Sequence, residues 1–390
     1  MIYLDNNATT RPDPHVLEVM APFYREQWGN PSSLHRFGAA VREEIDKARQ
    51  QVMLTLHASR PSEIIFTSGG TEANHLAILG TLAAVPEKNH CITTAVEHSS
   101  VSKVYERLSA EGKQICILPV NSQGLIDLKR LEESVTAKTG IVSVVWANNE
   151  TGALQPIAEI AKICRKHGVP LHLDAVQAFG KVPAELSKIN ADLVTLSGHK
   201  FHAPKGVGAL FVRKGHRIRP LLIGGGQEAG QRAGTENVAG IIAFGKAAKL
   251  GSQNLSQMEA VATLRNRLET EIISMSSRAK ISAAQTPRLP NTSHICFDGY
   301  NGEEICLLLS EAGICVSTGS TCSAGNREPS PILKAMGIPA QTARGAVRFS
   351  LSRETTDEEI EIVLQRLSDI LKRLNSHSFV RHFRSHSPPL

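Results

Sequence analysis

The feature that most constrains the fold is a repeated alternation between short apolar runs and segments with helical periodicity. The runs are rich in β-branched residues and span 64–66, 91–93, 115–118, 141–146, 171–173, 193–195 and 208–212. Strands joined through helices run parallel and are covered on both faces. The sequence therefore predicts an α/β fold with a mostly parallel, buried sheet of seven strands.

The helical segments carry start and stop signals. Pro156 lies near the first turn and Gly168 just past the end of one helix, and Thr356 and Glu359 form a capping-box pattern before a helix over 357–374. The alternation weakens near residue 250. We predict a large domain over 13–250, a smaller α+β domain formed by 1–12 with 251–375, and a flexible Ser-, His- and Arg-rich tail over 376–390.

Composition narrows the class of protein. Among 390 residues, 41% are hydrophobic and 21% charged, which is typical of a globular protein. The net charge is only +6 and aromatic residues are 4%, so there are few rings on which bases could stack, and direct nucleic-acid contact is not expected. No apolar run approaches the roughly 18 residues of a membrane span, and the chain opens without a signal-peptide pattern. We expect a cytoplasmic protein with no membrane contact.

The seven cysteines are scattered and include no C-x-x-C pair. This pattern indicates reduced thiols and argues against a zinc ribbon, so no metal site is predicted. Cys322 differs from the other six because it lies in a small, polar segment over 317–325. A thiol in such a segment is a candidate thiolate nucleophile.

Three polar segments follow predicted strands. Gly70 and Thr71 open a helix whose first-turn amides could bind a phosphate, although a simple capped helix explains the same residues. Asp174 either meets a cation or caps the next turn. Lys200 is either surface charge or a nucleophile toward carbonyl groups. Together with Cys322, these parts predict an organic cofactor with a phosphate and an aldehyde, which pyridoxal 5'-phosphate provides.

Specific motifs extend this pattern along the chain. They are YLDNNATT at 3–10, GNPSS at 29–33, TSGGTEAN at 67–74, EH at 97–98, NNETG at 148–152, DAVQ at 174–177, SGHK at 197–200, GGGQE at 224–228, AGTEN at 233–237, STGSTCS at 317–323 and VRFSLS at 347–352. Over residues 1–375 the chain resembles the NifS/IscS-type cysteine desulfurases, a branch of the class V aminotransferases. The resemblance implies the fold-type-I architecture of pyridoxal phosphate-dependent transferases.

The resemblance also implies roles for individual residues. Lys200 would hold the cofactor covalently, His98 would stack on its ring and move protons, and Cys322 would accept sulfur as a persulfide. The other implied cofactor-binding residues are Asp174 at the pyridine nitrogen, Gln177 at the phenolic oxygen, Gly70, Thr71, Ser197 and His199 at the phosphate, Thr235 from the second subunit of a homodimer, and Asn149. Arg348, with Asn149, would bind the substrate carboxylate through a bidentate fork.

The implied reaction converts L-cysteine to L-alanine and passes the sulfur to an acceptor protein, such as an iron–sulfur scaffold. Residues 376–390 do not resemble the segment that docks this scaffold in the IscS branch, so the acceptor stays open. Selenocysteine lyase and aminotransferase activity of the same fold are alternatives. A sulfur relay for tRNA or DNA thiolation, and a partner-binding protein without catalysis, are others.

Overall fold

A computed structural model describes the backbone of residues 1–318 and 329–384 and, within these ranges, the side chains up to Asn375. The strands are β1 (Ile2–Tyr3), β2 (Ile64–Thr67), β3 (His90–Thr94), β4 (Gln114–Leu118), β5 (Thr139–Val145), β6 (Leu171–Asp174), β7 (Leu193–Ser197), β8 (Gly208–Val212), β9 (Ala279–Ile281), β10 (Thr292–Phe297), β11 (Ile314–Cys315) and β12 (Ala346–Ser350). The helices are α1 (Pro14–Met20), α2 (Pro22–Arg25), α3 (Arg36–Leu56), α4 (Gly70–Ala84), α5 (Ser99–Ala110), α6 (Leu128–Ser134), α7 (Ile157–Lys166), α8 (Val238–Gln253), α9 (Met258–Met275), α10 (Gly302–Glu311), α11 (Pro331–Ala335), α12 (Ala340–Ala343) and α13 (Asp357–Arg384).

The central sheet has seven strands in the order β2-β8-β7-β6-β5-β3-β4, which confirms the predicted α/β class. Strands β4, β3, β5, β6 and β7 pair in parallel, whereas β8 is antiparallel to both β7 and β2. Only residues 198–207 connect β7 to β8. A parallel crossover needs a dozen or more residues, so this short connection returns the chain in the opposite direction.

Helices cover both faces of the central sheet. Ile64 and Phe66 of β2 pack into the core formed with α1, α3, α7 and α8, whereas the intervening Ile65 packs against α4 and α5. The two-residue period of a strand produces this division. On the first face, α3 and α8 lie so close together that only a glycine fits at position 245. A Cβ atom there would lie 2.7 Å from the Cα of Ala48.

A second core lies apart from the central sheet. It joins Ile2 and Leu4 to apolar side chains of β10, β12, α9, α10 and α13. Two small sheets accompany it, the parallel pair β1-β11 and the antiparallel sheet β12-β10-β9. The division into 13–250 and 1–12 with 251–375 stays a proposal, since a further apolar cluster joins Val96 and Val145 of the first range to Cys296 and Ile332 of the second.

The final helix begins as the capping box predicts, with Thr356 Oγ1 accepting from Glu359 N at 3.2 Å and Glu359 Oε2 accepting from Thr356 N at 3.2 Å. Its backbone continues to Arg384 instead of ending at Leu374. No glycine or proline interrupts 375–384, so nothing in the sequence breaks the helix there. The flexible tail stays a prediction, because the side chains of 376–390 lie outside the description. Across the described residues, no helix combines the length and apolar character that a membrane span requires.

Strand order places the loops that carry polar motifs at one edge of the central sheet. Strand β4 lies on one side of β3 and β5 on the other, so the connections that follow β3 and β5 leave in opposite directions. A crevice forms at such a switch point, beyond the carboxyl ends of the strands. The segments after β3, β5, β6 and β7 all open toward this crevice.

Candidate active site

A cavity of about 1180 Å³ lies at this edge of the sheet. Ten residues that the sequence analysis singled out line it together: Gly70, Thr71, His98, Asn149, Asp174, Gln177, Ser197, His199, Lys200 and Arg348. They come from the ends of β6 and β7, from the segments that follow β2, β3, β5, β6 and β7, and from β12. The fold thus brings these residues to one site, although they are up to 278 positions apart in sequence.

The N-terminus of α4 forms one end of the cavity. A Cβ atom at Gly70 would lie 2.9 Å from Val176 Cγ2 and 3.3 Å from Ser197 Cβ, so the backbone approaches these residues more closely than a side chain allows. No side chain caps the N-terminus of this helix, and residues 68–72 line the cavity together with Ser197. Such a cluster of N–H and O–H donors suits a phosphate group.

Asp174 ends β6 and is almost completely buried. Its Oδ1 accepts a hydrogen bond from Val176 N at 3.0 Å, and its Oδ2 accepts one from Asn74 Nδ2 at 2.9 Å. The carboxylate therefore caps the following turn and also lines the cavity, so the two interpretations left open by the sequence are compatible. A buried carboxylate at this depth attracts a cationic or N–H-bearing ligand.

His98 is the N-cap of α5, and its ring lines the cavity. Ser100 N donates to His98 Nδ1 at 3.1 Å, which makes Nδ1 an acceptor and assigns the proton of the neutral ring to Nε2. Burial lowers the pKa of His98, with Lys200 acting in the same direction and Asp174 opposing it. The imidazole is therefore neutral near pH 7 and can take up a proton from a ligand after rearrangement of its hydrogen bonds.

Lys200 lies at the end of a short 3-10 turn, Gly198–Lys200, directly after β7. Its Nζ donates to the carbonyl oxygens of Asn7 at 2.8 Å and Ala8 at 2.7 Å. Gln177 Nε2 donates to the same Asn7 oxygen at 2.9 Å. The backbone of Asn7 thus contacts both Lys200 and Gln177, which are two of the predicted cofactor-binding residues. The sequence signalled it only as part of the YLDNNATT segment.

Arg348 lies on β12, a strand that contributes to the second core, and its side chain reaches the cavity. It is buried, with Nη1 donating to the Asn149 carbonyl at 3.0 Å and Nη2 donating to Asp5 Oδ1 at 2.7 Å. The Asn149 side-chain Oδ1 is buried without a hydrogen-bond partner in the described part of the chain. A guanidinium and a side-chain amide at one wall suit a carboxylate ligand.

One predicted residue of the described chain, Thr235, does not line this cavity, and a second predicted residue lies outside the described part of the chain. Thr235 lies on the exposed surface and does not line the cavity within the described subunit. Cys322 lies outside the described residues. Among the cysteines that are described, burial raises the pKa of Cys91 to about 11 and those of Cys164 and Cys306 to about 12. These thiols stay protonated near neutral pH and are poor nucleophiles.

Glu97 is a cavity residue to which the sequence analysis gave no role. Its Oε1 accepts from Thr94 Oγ1 at 2.6 Å and from Val145 N at 2.9 Å, and burial, reinforced by the charge of Asp174, raises its pKa to about 8. The carboxyl is therefore mostly neutral at pH 7. Only its position beside His98 in the EH motif could have drawn attention to it.

We expect Glu97→Gln to stabilise the protein at alkaline pH. Because the folded pKa is raised, the stabilising contribution of the neutral acid is complete below the unfolded value of 4.5 and is lost as the pH rises through about 8. An amide of the same shape does not ionise, so the variant should melt roughly 5 °C above wild type at pH 9 and within roughly 1 °C of it at pH 5. Thermal unfolding at both pH values tests this. Glu111→Gln, at an exposed residue, is the control, and a pH-independent difference for Glu97→Gln would contradict the expectation.

Comparison with known proteins assigns the family. The sequence model of the aminotransferase class-V family matches residues 2–363, so the chain belongs to that family. It is 50% identical over 378 residues to Cysteine desulfurase 2 of Trichormus variabilis, covering 97% of this chain and 95% of that protein. Within the family, the chain therefore belongs with the cysteine desulfurases.

Solved structures agree with this family. A NifS-like protein superimposes with a TM-score of 0.89 at 39% identity, over 95% of this chain and 99% of that one. A structure of SspA in complex with cysteine superimposes with a TM-score of 0.81 at 32% identity, over 91% of this chain and all of the other. These similarities confirm the fold-type-I architecture predicted from the motifs.

Proposed function

We propose that this protein is a pyridoxal phosphate-dependent cysteine desulfurase that converts L-cysteine to L-alanine and passes the sulfur to an acceptor. One observation carries the proposal. Lys200, Asp174, the N-terminus of α4 and Arg348 line a single cavity in a chain of the cysteine desulfurase family.

The residues of the cavity fit pyridoxal phosphate on structural grounds. The close approach at Gly70 leaves backbone amides for a phosphate, Asp174 offers a carboxylate to a pyridine N–H, and Lys200 offers an amine to an aldehyde. The Oδ1 atoms of Asn74 and Asn149 are buried at the cavity without a partner in the described part of the chain. Unpaired buried oxygens are costly and are satisfied when a ligand supplies donors.

When bound, pyridoxal phosphate supplies an electron sink for negative charge beside the amino-bearing carbon of the substrate. Gly70, Thr71, Ser197 and His199 would hold its phosphate, Gln177 would donate to its phenolic oxygen, and Thr235 would complete the phosphate site of the partner subunit. His98 and Lys200 would move the protons, and Arg348 with Asn149 would orient the substrate carboxylate.

Cys322 would act as the sulfur acceptor. Its thiolate attacks the substrate sulfur, an S–S bond forms, and the C–S bond breaks. The electron pair of the broken bond stays on the three-carbon fragment, which takes up a proton and leaves as alanine. The buried thiols with raised pKa values offer no comparable nucleophile.

We further propose a cytoplasmic homodimer that delivers sulfur to a partner protein. Large apolar side chains are exposed at Trp28, Leu34, Leu221, Leu222 and Ile223. The last three lie between β8 and α8, in the same segment as the exposed Thr235, and we infer that a second copy covers this segment. An iron–sulfur scaffold is the acceptor that the family suggests first, with tRNA- or DNA-thiolation proteins as the alternatives.

The function is tested by the products formed from L-cysteine. Purified protein with pyridoxal phosphate and excess reductant should release alanine and sulfide in equal amounts, without any keto acid. Alanine formation that requires a keto acid would instead indicate an aminotransferase. Turnover of selenocysteine with none of cysteine would indicate a selenocysteine lyase.

We expect Arg348→Lys to raise KM for L-cysteine by about tenfold or more, because a lysine cannot reproduce the planar fork of a guanidinium on a carboxylate. Affinity for pyridoxal phosphate should change little. Steady-state kinetics and cofactor titration measure the two effects separately. Arg267→Lys is the matched control, since Arg267 on α9 forms exposed ion pairs with Asp357 and Glu361 on α13. An unchanged KM in Arg348→Lys would exclude Arg348 from substrate binding.

A further inference from the structure

We propose that Lys181 is a positioning residue that clamps the side-chain amide of Gln177, so that one N–H of this amide is directed to a ligand in the cavity. The proposal deepens the function proposed above and rests on it, because it takes the cavity as the cofactor site. Neither the motifs nor the implied family roles include Lys181. In the sequence it resembles an ordinary loop lysine after β6.

The position of Lys181 differs from that of a surface lysine. Its side chain is buried, with the residue only 7% exposed. Its Nζ donates to Gln177 Oε1 at 2.7 Å and to Asn7 Oδ1 at 3.1 Å. In the described part of the chain, both acceptors are neutral amide oxygens. Burying an amine without a carboxylate partner costs free energy. A lysine is therefore not expected at this position unless it has a specific role.

The two ends of the Gln177 amide are held by different groups. The Asn7 carbonyl oxygen can only accept a hydrogen bond, so the Gln177 atom that faces it at 2.9 Å must be Nε2. Lys181 then supplies an N–H to the remaining Oε1. A flipped amide would place two acceptors against each other at Asn7. The clamp therefore permits a single orientation.

This orientation determines what Gln177 presents to the cavity. Nε2 carries two hydrogens, of which Asn7 O takes one. Because Gln177 lines the cavity, the second hydrogen is available to an acceptor atom of a ligand, such as a phenolate oxygen. Without Lys181, Oε1 would lose its donor and the amide could rotate. The hydrogen bond to the ligand would then be weaker.

Lys181 also braces the contact of Asn7 with Lys200. Asn7 Oδ1 accepts from both Lys181 and Asn291, at 3.1 Å each, and Asn7 Nδ2 donates to Thr292 Oγ1 at 2.9 Å. The Asn7 carbonyl, fixed in this way, accepts from Lys200 Nζ. Burial, followed by the positive charges of Lys200 and Arg348, lowers the pKa of Lys181 well below its usual value. Both bonds survive loss of a proton, since a neutral amine still has two N–H donors.

A double-mutant cycle tests the clamp. The apoprotein of wild type, Lys181→Met, Gln177→Met and the double variant is titrated with pyridoxal phosphate by equilibrium dialysis, which measures affinity without turnover. We expect Lys181→Met to weaken binding by about tenfold in the wild-type background, and by less than about twofold when Gln177 is absent. Lys188→Met, at an exposed lysine paired with Glu185, is the control and should bind as wild type does.

The outcomes separate the clamp from the function. An equal loss of affinity in both backgrounds, or no loss in either, would overturn the role of Lys181 through Gln177 while leaving the proposed function intact. A wild-type chain that binds no pyridoxal phosphate would overturn both. If Lys181→Met does not fold, Lys181→Gln replaces it in the cycle. Its shorter side chain keeps N–H donors, so a smaller loss with the same dependence on Gln177 is expected.

Discussion

The variant Lys200→Ala should turn over cysteine at least about 10⁴-fold more slowly than wild type. We propose that the Lys200 amine both binds the cofactor aldehyde covalently and moves protons at the substrate, and the variant lacks this amine. The Lys200 amine lies at the cavity, where it donates to the carbonyl oxygens of Asn7 and Ala8. An alanine side chain is too short to place any group there. Alanine release from L-cysteine, measured with saturating pyridoxal phosphate, gives the size of the loss.

Lys205→Ala is the matched control for this variant. Lys205 is exposed and lines the same cavity, so the substitution removes a positive charge there without removing the proposed amine. We expect Lys205→Ala to keep most of its turnover, since exposed charges contribute little at physiological salt. If the two variants lost equal activity, the loss would reflect the charge of the cavity and not the chemistry of Lys200.

Cys322→Ala should lose sulfide release by at least about 10³-fold while the cofactor stays bound, because the proposed acceptor of the substrate sulfur is absent. The expectation follows from the STGSTCS motif and from the chemistry of the other thiols. Visible absorption of the bound cofactor and sulfide release in excess reductant are measured on the same sample.

Cys306→Ala provides the comparison for the cysteine variant. Burial raises the pKa of Cys306 to about 12, so this thiol stays protonated and should not replace Cys322. The control should retain its sulfide release. Full desulfurase activity in Cys322→Ala would contradict the persulfide step and favour a reaction such as that of selenocysteine lyase.

Much of the fold follows from patterns of short range. All seven central strands lie where the apolar runs predicted them, and six of them consist almost entirely of buried residues, as strands covered on both faces require. The edge strand β4 is partly exposed. The antiparallel direction of β8 was not predicted, since direction depends on the length of a connection and not on the strand's own residues. The extension of α13 to Arg384 was also missed, because the absence of a breaker is a weak signal.

The candidate site was predictable where a residue belongs to a motif with a mechanism. Gly70 and Lys200 follow strands and Asp174 ends one, and the shared carboxyl edge of the sheet brings them together. Lys181 and Glu97 could not be found in this way, because their significance arises only from burial and from contacts with distant segments. Lysine and glutamate are usually exposed, and the sequence alone does not reveal an exception.

The most direct test of the central claim is to identify the lysine that holds pyridoxal phosphate. Borohydride reduction of the loaded protein fixes the cofactor to the amine that carries its aldehyde carbon, and peptide mass spectrometry then locates the modified residue. The account predicts modification at Lys200. Modification of Lys181 or Lys205 instead, or of no lysine in a protein that turns over cysteine, would contradict it.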